Sequence, residues 1–575
     1  VIDFDSQFDV LEMEDLPDDY EIIVIGTGLI ESIVAGALSR VGKKVLHIDD
    51  NHYYGGEWAS FNLKGIHDWI EKVSTLADAS NNYDSNELLL NSCLTTFTNV
   101  ESMVTPDSAD ERFSFLKIDN EMKRKFNIDL SPKILYSCGP MVKLLISSNS
   151  SKYMEFKSVT KMLTCFDGSL IEVPFTRADV FSSKKMTVIE KRLLMKLLST
   201  CAESESNQSI LNDFIGKPFS SFLKHHKLSP LTEAYVECML NILDKKDIST
   251  EEGVAAVKKF LDSIGHYGPS PFLWPLYGSG ELPQAFCRVC AVFGGTYYLS
   301  CPIKSLVLDE ERKVCSINTG PKLLHAEKVV LSSSYMSQKL NITEKGPGVS
   351  RCILITNRSL LKNSKDISVG MISSPNYSHS IILYELGYNS LSTPEGLYVV
   401  HLVTQQTDSA SVDLQPTVEH LFNVSSCQYS SQEESKTTQD TSEGPQKDPE
   451  NKGQEVSPSN QPNTSADDDF DDSIGEVKPN VIWGLYFNVE DQLDVDLTQH
   501  GIHNLYVCPG AGTTIDMAEH VNKAREIFLS MYPDEEFLPR MPNPEEIAFE
   551  EPVAEPNILE LVEGATDVHA MERQE

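Results

Sequence analysis

The chain has 575 residues, 40% of them apolar, and a formal net charge of −37. That length allows several domains around a large core, while the acidity argues against nucleic acid and anionic membrane as partners, because both repel a negative protein. The charge is localised: residues 1–19 carry eight acids and no Lys or Arg, residues 425–476 thirteen acids against three bases, and residues 534–575 thirteen against two.

No apolar run approaches the roughly eighteen residues of a membrane span, and no signal-like segment opens the sequence. A soluble protein of the cytoplasm and cytosol is expected, with its twelve cysteines reduced. The last residues, Glu572-Arg573-Gln574-Glu575, are not a prenylation box.

Beyond an acidic, flexible N-terminus (1–19), Tyr20 to Gly56 reads as strand, glycine turn, helix, strand. Glu21-Ile22-Ile23-Val24-Ile25 is a short apolar run suited to a parallel strand buried on both faces. Gly26-Thr27-Gly28 turns into a helix from Leu29 to Val41, and a second strand, Lys44 to Ile48, ends in Asp49 and Asp50. Turn, length and the acid about twenty residues on fit the dinucleotide-binding fingerprint. The third glycine, however, is Glu31, whose carboxylate suits the helix dipole but repels a pyrophosphate. Near the other end, Gly510-Ala511-Gly512 runs into Thr513-Thr514-Ile515, and the acid that holds cofactor in flavin-dependent relatives of this architecture arrives late, as Asp516. Gly26, Gly28 and Glu31 therefore read as a degenerate, vestigial dinucleotide turn, with no cofactor and no flavin expected.

A charged helical stretch spans Asp110 to Phe126, and Phe126 to Leu130 reads as a strand or its lead-in. Ser131-Pro132 starts a helix carrying Ile134, Leu135, Val142, Leu144, Leu145 and Ile146, with a break at Gly139-Pro140. Residues 153–175 alternate and turn at Asp167-Gly168, as a hairpin does. From Thr187 the period becomes helical, with Val188, Ile189, Leu193, Leu194, Leu197 and Leu198 in one stripe, and helices follow over Phe219–His225, Leu231–Leu243 and Glu251–Ile264. Residues 131–148 and 187–266 thus form a predicted helical domain interrupting an α/β domain of 20–130, 149–186, 267–424 and 480–532. Strands are expected over 296–299, 305–308, 328–332, 352–356, 381–385, 397–403, 481–487 and 504–507, and a helix over about 516–531. Residues 425–479 lack the apolar surface to order themselves, and 533–575 reads as an acidic tail.

Cys287-x-x-Cys290 has no second Cys or His pair at ligand spacing, so buried structural thiols are expected rather than a metal site. The segment Tyr277 to Pro283 opens a helix on which Glu281, Gln284 and Arg288 share one face, flanked by Leu282, Phe286, Val289 and Phe293. Two readings stay open for that face: solvated charge, or a polar platform that grips a protein surface. No H-E-x-x-H, G-x-S-x-G or Walker motif is present.

Ile25-Gly26-Thr27-Gly28-Leu29 with Glu31, Gly42 to His47 and Tyr53-Tyr54-Gly55-Gly56 resemble the first signature of the Rab GDP-dissociation inhibitor and Rab escort protein superfamily. Pro275 to Gln284 and Phe293-Gly294-Gly295-Thr296-Tyr297 resemble its second. Gly56 to Phe61, Arg177 to Phe181, Glu190 to Lys196 and Cys287 to Phe293 look like the escort branch. The resemblance implies a flavin-monooxygenase/GDP-dissociation-inhibitor-like α/β fold, a large Rossmann-type sheet domain interrupted by a smaller helical one. It implies a non-catalytic component A of a protein geranylgeranyltransferase. Such a subunit binds GDP-bound Rab GTPases, presents their C-terminal cysteines to the catalytic heterodimer, shelters the prenyl lipid and delivers the product transiently to membranes. A recycling Rab inhibitor and a flavin-dependent oxidoreductase are the alternatives. By resemblance, the Rab-binding platform is Tyr54, Glu281, Gln284, Arg288 and Thr296 with Tyr298. The patch for the Rab C-terminus is Leu135, Val142, Leu144, Leu145 and Ile146, and the transferase contact is Leu197, Thr200 and Cys201. Ser199-Thr200 stands where the family has an aromatic anchor.

Overall fold

The computed structural model describes residues 13–75, 87–104, 120–240, 248–336, 348–362, 364–372, 379–424, 428–429, 477–490 and 501–540, with 346 and 497. The expectations for 1–12, for most of 110–126 and 425–479, and for 541–575 fall outside the described residues.

Asp19–Ile25 is the central strand of an eight-stranded sheet, paired in parallel with Val45–Ile48 on one side and Leu323–Ser332 on the other. Thr296–Tyr298 adds a parallel edge beyond Val45–Ile48, and Leu505–Cys508 pairs in parallel with Leu323–Ser332. Alternation sorts the central strand's side chains: Ile22 and Val24 face a helical layer, Ile23 and Ile25 the main core. The helical layer is Leu29–Arg40, Glu281–Val292 and Ala518–Met531, with the first helix in the middle and buried at every position from Leu29 to Ser39.

A second, nine-stranded and mostly antiparallel sheet runs in the order 169–172, 161–166, 367–372, 381–386, 398–405, 349–356, 481–489, 97–104, 428–429. The hairpin at Asp167-Gly168 is present, with Ser169–Glu172 antiparallel to Lys161–Phe166. Phe97–Val104 escapes a period-two reading because Asn99 adopts a positive φ of 49° and the register against Val481–Val489 shifts between Tyr486 and Asn488. Outside this sheet lies Ala410–Leu421, an unforeseen helix that carries Pro416. The helices Val188–Ala202, Phe219–His225, Pro230–Leu240 and Thr250–Asp262 pack together and against strand Lys161–Phe166, where Cys238 Sγ meets Leu163 O at 3.4 Å.

Three expected boundaries move. Residues 13–19 are not a loose N-terminus, since Met13 and Leu16 are buried and Lys322 Nζ holds Asp18 at 2.7 Å. Residues 131–139 are not helical: Leu135–Tyr136 is a short strand on Phe272–Leu273, and only Pro140–Ser147 is helix. That helix packs on Ala518–Met531 beside the first sheet, because its apolar side matches that layer. The tail likewise begins later than 533, since Phe537 and Leu538 are buried and Phe537 meets the Phe528 ring edge-on at 5.4 Å.

Candidate functional site

The opening glycine turn is built as in a dinucleotide site but is lined by carboxyl groups. Gly26 has φ +97°, and a Cβ there would stand 2.7 Å from Ser332 Cβ, so only glycine serves. Glu31 folds back over Gly28, its Oε2 lying 2.5 Å from where a Gly28 Cβ would be. Burial pushes this carboxyl up to about 8, so near neutral pH it sits as the uncharged acid. Asp49, the acid at the end of the second strand, accepts from Thr27 N and Oγ1 at 2.8 and 2.7 Å, from Asn51 N and Nδ2, and from Tyr335 OH. The late turn has its own plug: Ala511 N donates to Glu57 Oε1 at 2.6 Å. Residues that would meet pyrophosphate and ribose are thus acids already committed to protein donors, and they do not suit a dinucleotide.

His47, which the sequence reading passed over, fixes this turn from below: its Nε2–H donates to Gly26 O at 2.5 Å. Burial lowers its pKa to about 4, which keeps the ring neutral. Asp49, Asp50 and Cys93 are the one group of side chains among the described residues close enough to share a metal. Tyr335 OH donates to both carboxylates and Ser92 Oγ to Asp50 Oδ2, so the cluster is a hydrogen-bonded knot.

Beside the turn, the helix Glu281–Val292 buries Leu282, Phe286, Val289 and Cys290 and leaves Gln284 and Arg288 exposed, with Glu281 half-buried. Its underside lies close on Leu29–Arg40, since a Cβ at Gly36 would reach Phe286 O at 3.4 Å. The cysteine pair belongs to that contact: Cys287 Sγ lies 3.2 Å from Ser32 Oγ, and Cys290 Sγ 2.9 Å from Ser39 Oγ. Burial raises the Cys287 thiol to about 12, which disfavours the reactive thiolate. Tyr54 stands half-buried with its ring 5.8 Å from Tyr297, and Thr296 and Tyr298 lie on the neighbouring edge strand, so the structure brings the expected platform residues to one end of the sheet.

What holds the helix Glu281–Val292 at its start is a residue that sequence reasoning missed. Asp129, fully buried, accepts from Ser279 N with both carboxylate oxygens at 3.0 Å and from Ser60 Oγ. Ser60 Oγ in turn accepts from Gly280 N at 2.9 Å. The preceding residues are strained, with Tyr277 at φ +69° and Gly278 at +105°. No side chain fits at Gly278, because a Cβ would collide with Asp129. Burial lifts the Asp129 carboxyl to about 6. A lone Asp between Ile128 and Leu130 gives no local signal, and its partners are roughly 70 and 150 residues away in the chain.

Burial sorts the residues of the other two expected contacts. Leu135, Val142, Leu144 and Leu145 are interior, and Ile146, 57% exposed, is the one of the five in solvent, with Lys143 also exposed. Leu197, Thr200 and Cys201 are also interior. Thr187 and Glu190 form a capping box at the helix start, and Leu194, Leu197, Leu198 and Cys201, spaced i, i+3, i+4 and i+7, form the buried face. Val188 and Ile189, expected on the buried stripe, stand in solvent together with Phe181, at 64, 69 and 65% exposure.

A family model described as GDP dissociation inhibitor matches residues 16–86 and 110–446. Rab proteins geranylgeranyltransferase component A 1 of Rattus norvegicus is 30% identical over 93% of this chain and 94% of its own length. The component A protein of Drosophila melanogaster is 31% identical over 93% of each chain. A crystal structure of Rab GDI from Plasmodium falciparum, 19% identical, shares the fold with a TM-score of 0.63 over 92% of this chain and 100% of that one. Among the described residues no helix is long and apolar enough to cross a membrane.

Proposed function

The chain belongs to the GDP dissociation inhibitor family, and on that premise we propose that it is the accessory, substrate-presenting subunit of a Rab geranylgeranyl transferase. It binds GDP-bound Rab GTPases and holds their C-terminal cysteines for the catalytic heterodimer, itself performing no chemistry and using no dinucleotide. The observation that carries this reading is the platform helix: one side is locked to the core, the other presents Gln284 and Arg288 to solvent beside Tyr54. A guanidinium on a rigid, well-packed helix meets a partner with little ordering cost. Nearly full-length similarity to component A proteins supports the escort role over that of a recycling inhibitor.

Affinity for the lipidated product follows from burial. A prenyl chain moved out of water gains about 0.8 kcal/mol per CH₂, so even a partly sheltering groove keeps the Rab tail dissolved in the cytosol until membrane delivery. The transferase contact is assigned to the exposed Phe181, Val188 and Ile189 side of the helical domain, since the inward face of helix Val188–Ala202 is filled.

Reconstitution tests the proposal. Mixed with unprenylated Rab GTPase, geranylgeranyl donor and catalytic heterodimer, the protein should restore lipid transfer. Rab binding without transfer would identify a recycling inhibitor, and a flavin absorbance band in the purified protein would restore the oxidoreductase reading.

A further inference from the structure

The helix Val188–Ala202 turns to solvent a stripe that its packing leaves unused. Val188, Arg192, Lys196 and Ser199 recur at i, i+4, i+8 and i+11, Ile189 stands next to Val188 in the first turn, and all five are exposed. The preceding helix, Arg177–Ser182, adds the exposed ring of Phe181. Lys191 Nζ donates to Phe181 O at 2.7 Å, which ties the two elements together. Lys184 and Lys185, both exposed, lie in the link between them. The stripe therefore begins in bare apolar side chains and continues in cations.

Charge on this face is one-sided. Residues 176–200 hold six Lys and Arg against two acids, in a chain of net charge −37. Both acids are engaged in capping: Asp179 Oδ2 accepts from Thr176 N at 3.0 Å, and Glu190 Oε2 from Thr187 N at 2.8 Å. Lys185, Arg192 and Lys196 make no ion pair among the described residues. The His226 imidazole is held neutral by burial first and then by His225 and Lys196, so Lys196 lies near the end of helix Phe219–His225, where Lys224 and Lys227 are exposed.

Four of the six cations in 176–200 are lysine. A lysine ammonium is a point charge on a flexible stem and suits a diffuse field of headgroups, whereas protein interfaces are depleted in lysine and favour the planar fork of arginine. Exposed apolar side chains in a lysine-rich surround are how an element settles on an anionic lipid surface. Electrostatic force reaches about 8 Å at physiological ionic strength, so a membrane meets this local face rather than the net charge.

We propose that the protein docks on membranes rich in anionic phospholipid through this face, with Phe181, Val188 and Ile189 entering between headgroups and Lys185, Arg192 and Lys196 resting on phosphates. Attachment of this kind is shallow and reversible. One consequence rests on the assignment of the transferase contact to the same apolar trio: lipid surface and heterodimer exclude each other, so the protein leaves the enzyme before it settles on a membrane.

Co-sedimentation of the full chain with vesicles tests the docking. Binding to phosphatidylcholine vesicles carrying about 30% phosphatidylserine should be at least about fivefold tighter than to phosphatidylcholine alone, and should weaken as salt rises. Arg192→Glu with Lys196→Glu should cut that binding by about tenfold or more, and Val188→Asp with Ile189→Asp should lower it as well. Lys143→Glu with Lys152→Glu makes an equal charge change on exposed residues elsewhere and should leave binding near the parent value. Thermal unfolding checks that the variants stay folded. Equal binding of the parent to both kinds of vesicle overturns the proposal, as does an equal loss in the two charge-reversed variants. Unchanged vesicle binding with lost heterodimer association in the Arg192 and Lys196 variant would mean that the cations meet a protein, which also overturns it. Anionic vesicles should displace the heterodimer; if they bind without displacing it, the transferase assignment fails while the docking stands.

Discussion

Replacing Glu31 with Gln is expected to flatten the response of stability to pH on the neutral and alkaline side. The folded chain holds the Glu31 proton until about pH 8, whereas a free glutamate releases it near 4.5. A carboxyl whose pKa is raised by folding contributes its full stability below the unfolded value and loses it as pH climbs through the folded one. At about 1.36 kcal/mol per unit, the shift amounts to roughly 5 kcal/mol in all, of which about 3–4 kcal/mol falls between pH 5 and pH 8. Gln has the same shape, keeps a carbonyl oxygen for Ser332 and does not titrate. Urea unfolding followed by tryptophan fluorescence, run on both proteins at the two pH values, reads the difference directly. The parent should lose about 3–4 kcal/mol more than the variant on going from pH 5 to pH 8. Equal losses would refute the argument that the turn is covered by a neutral acid.

Arg288→Ala should weaken binding of a GDP-loaded Rab by more than about 1 kcal/mol in calorimetry while leaving the melting temperature unchanged, since the side chain is exposed. Asp129→Ala strips the partners from the Ser279 N–H and should cost about 2–4 kcal/mol in urea unfolding, with Rab binding weakened as the helix start loosens. Gly253→Ala forces a methyl into the Phe219 ring and is expected to destabilise the helical domain by about 1–3 kcal/mol, read by thermal unfolding. The double substitution Val188→Asp and Ile189→Asp should reduce prenyl transfer in reconstitution and spare Rab affinity. Unchanged transfer would remove that face as the transferase contact.

The parallel βαβ opening was legible because a fully buried strand leaves no polar residue in Ile22–Ile25 and the turn must be Gly26. The platform helix was legible as well, since Glu281, Gln284 and Arg288 repeat at helical spacing. Burial within a helix was not. Thr187 to Cys201 carries apolar residues on more than one side, and at helical spacing Val188 and Ile189 lie off the stripe of Leu194, Leu197, Leu198 and Cys201 and face water. Asp129 and His47 were invisible for another reason: each acts on a backbone group far away in sequence, Ser279 and Gly26 respectively, and such pairings leave no periodic trace. The helix Leu63–Thr75 went unread although Leu63, Ile66 and Trp69 are buried along one side, because polar residues separate them.

The central helix Leu29–Arg40 is flanked by one neighbour ending at Val292 and by another, Ala518–Met531, that is among the last elements of the described chain. During synthesis, then, the apolar surface of Leu29–Arg40 waits until Ala518–Met531 is made before its second flank exists. Until then that flank invites chaperone capture, and a chain ending before Ala518 leaves it bare. Such products should be cleared rather than function in part.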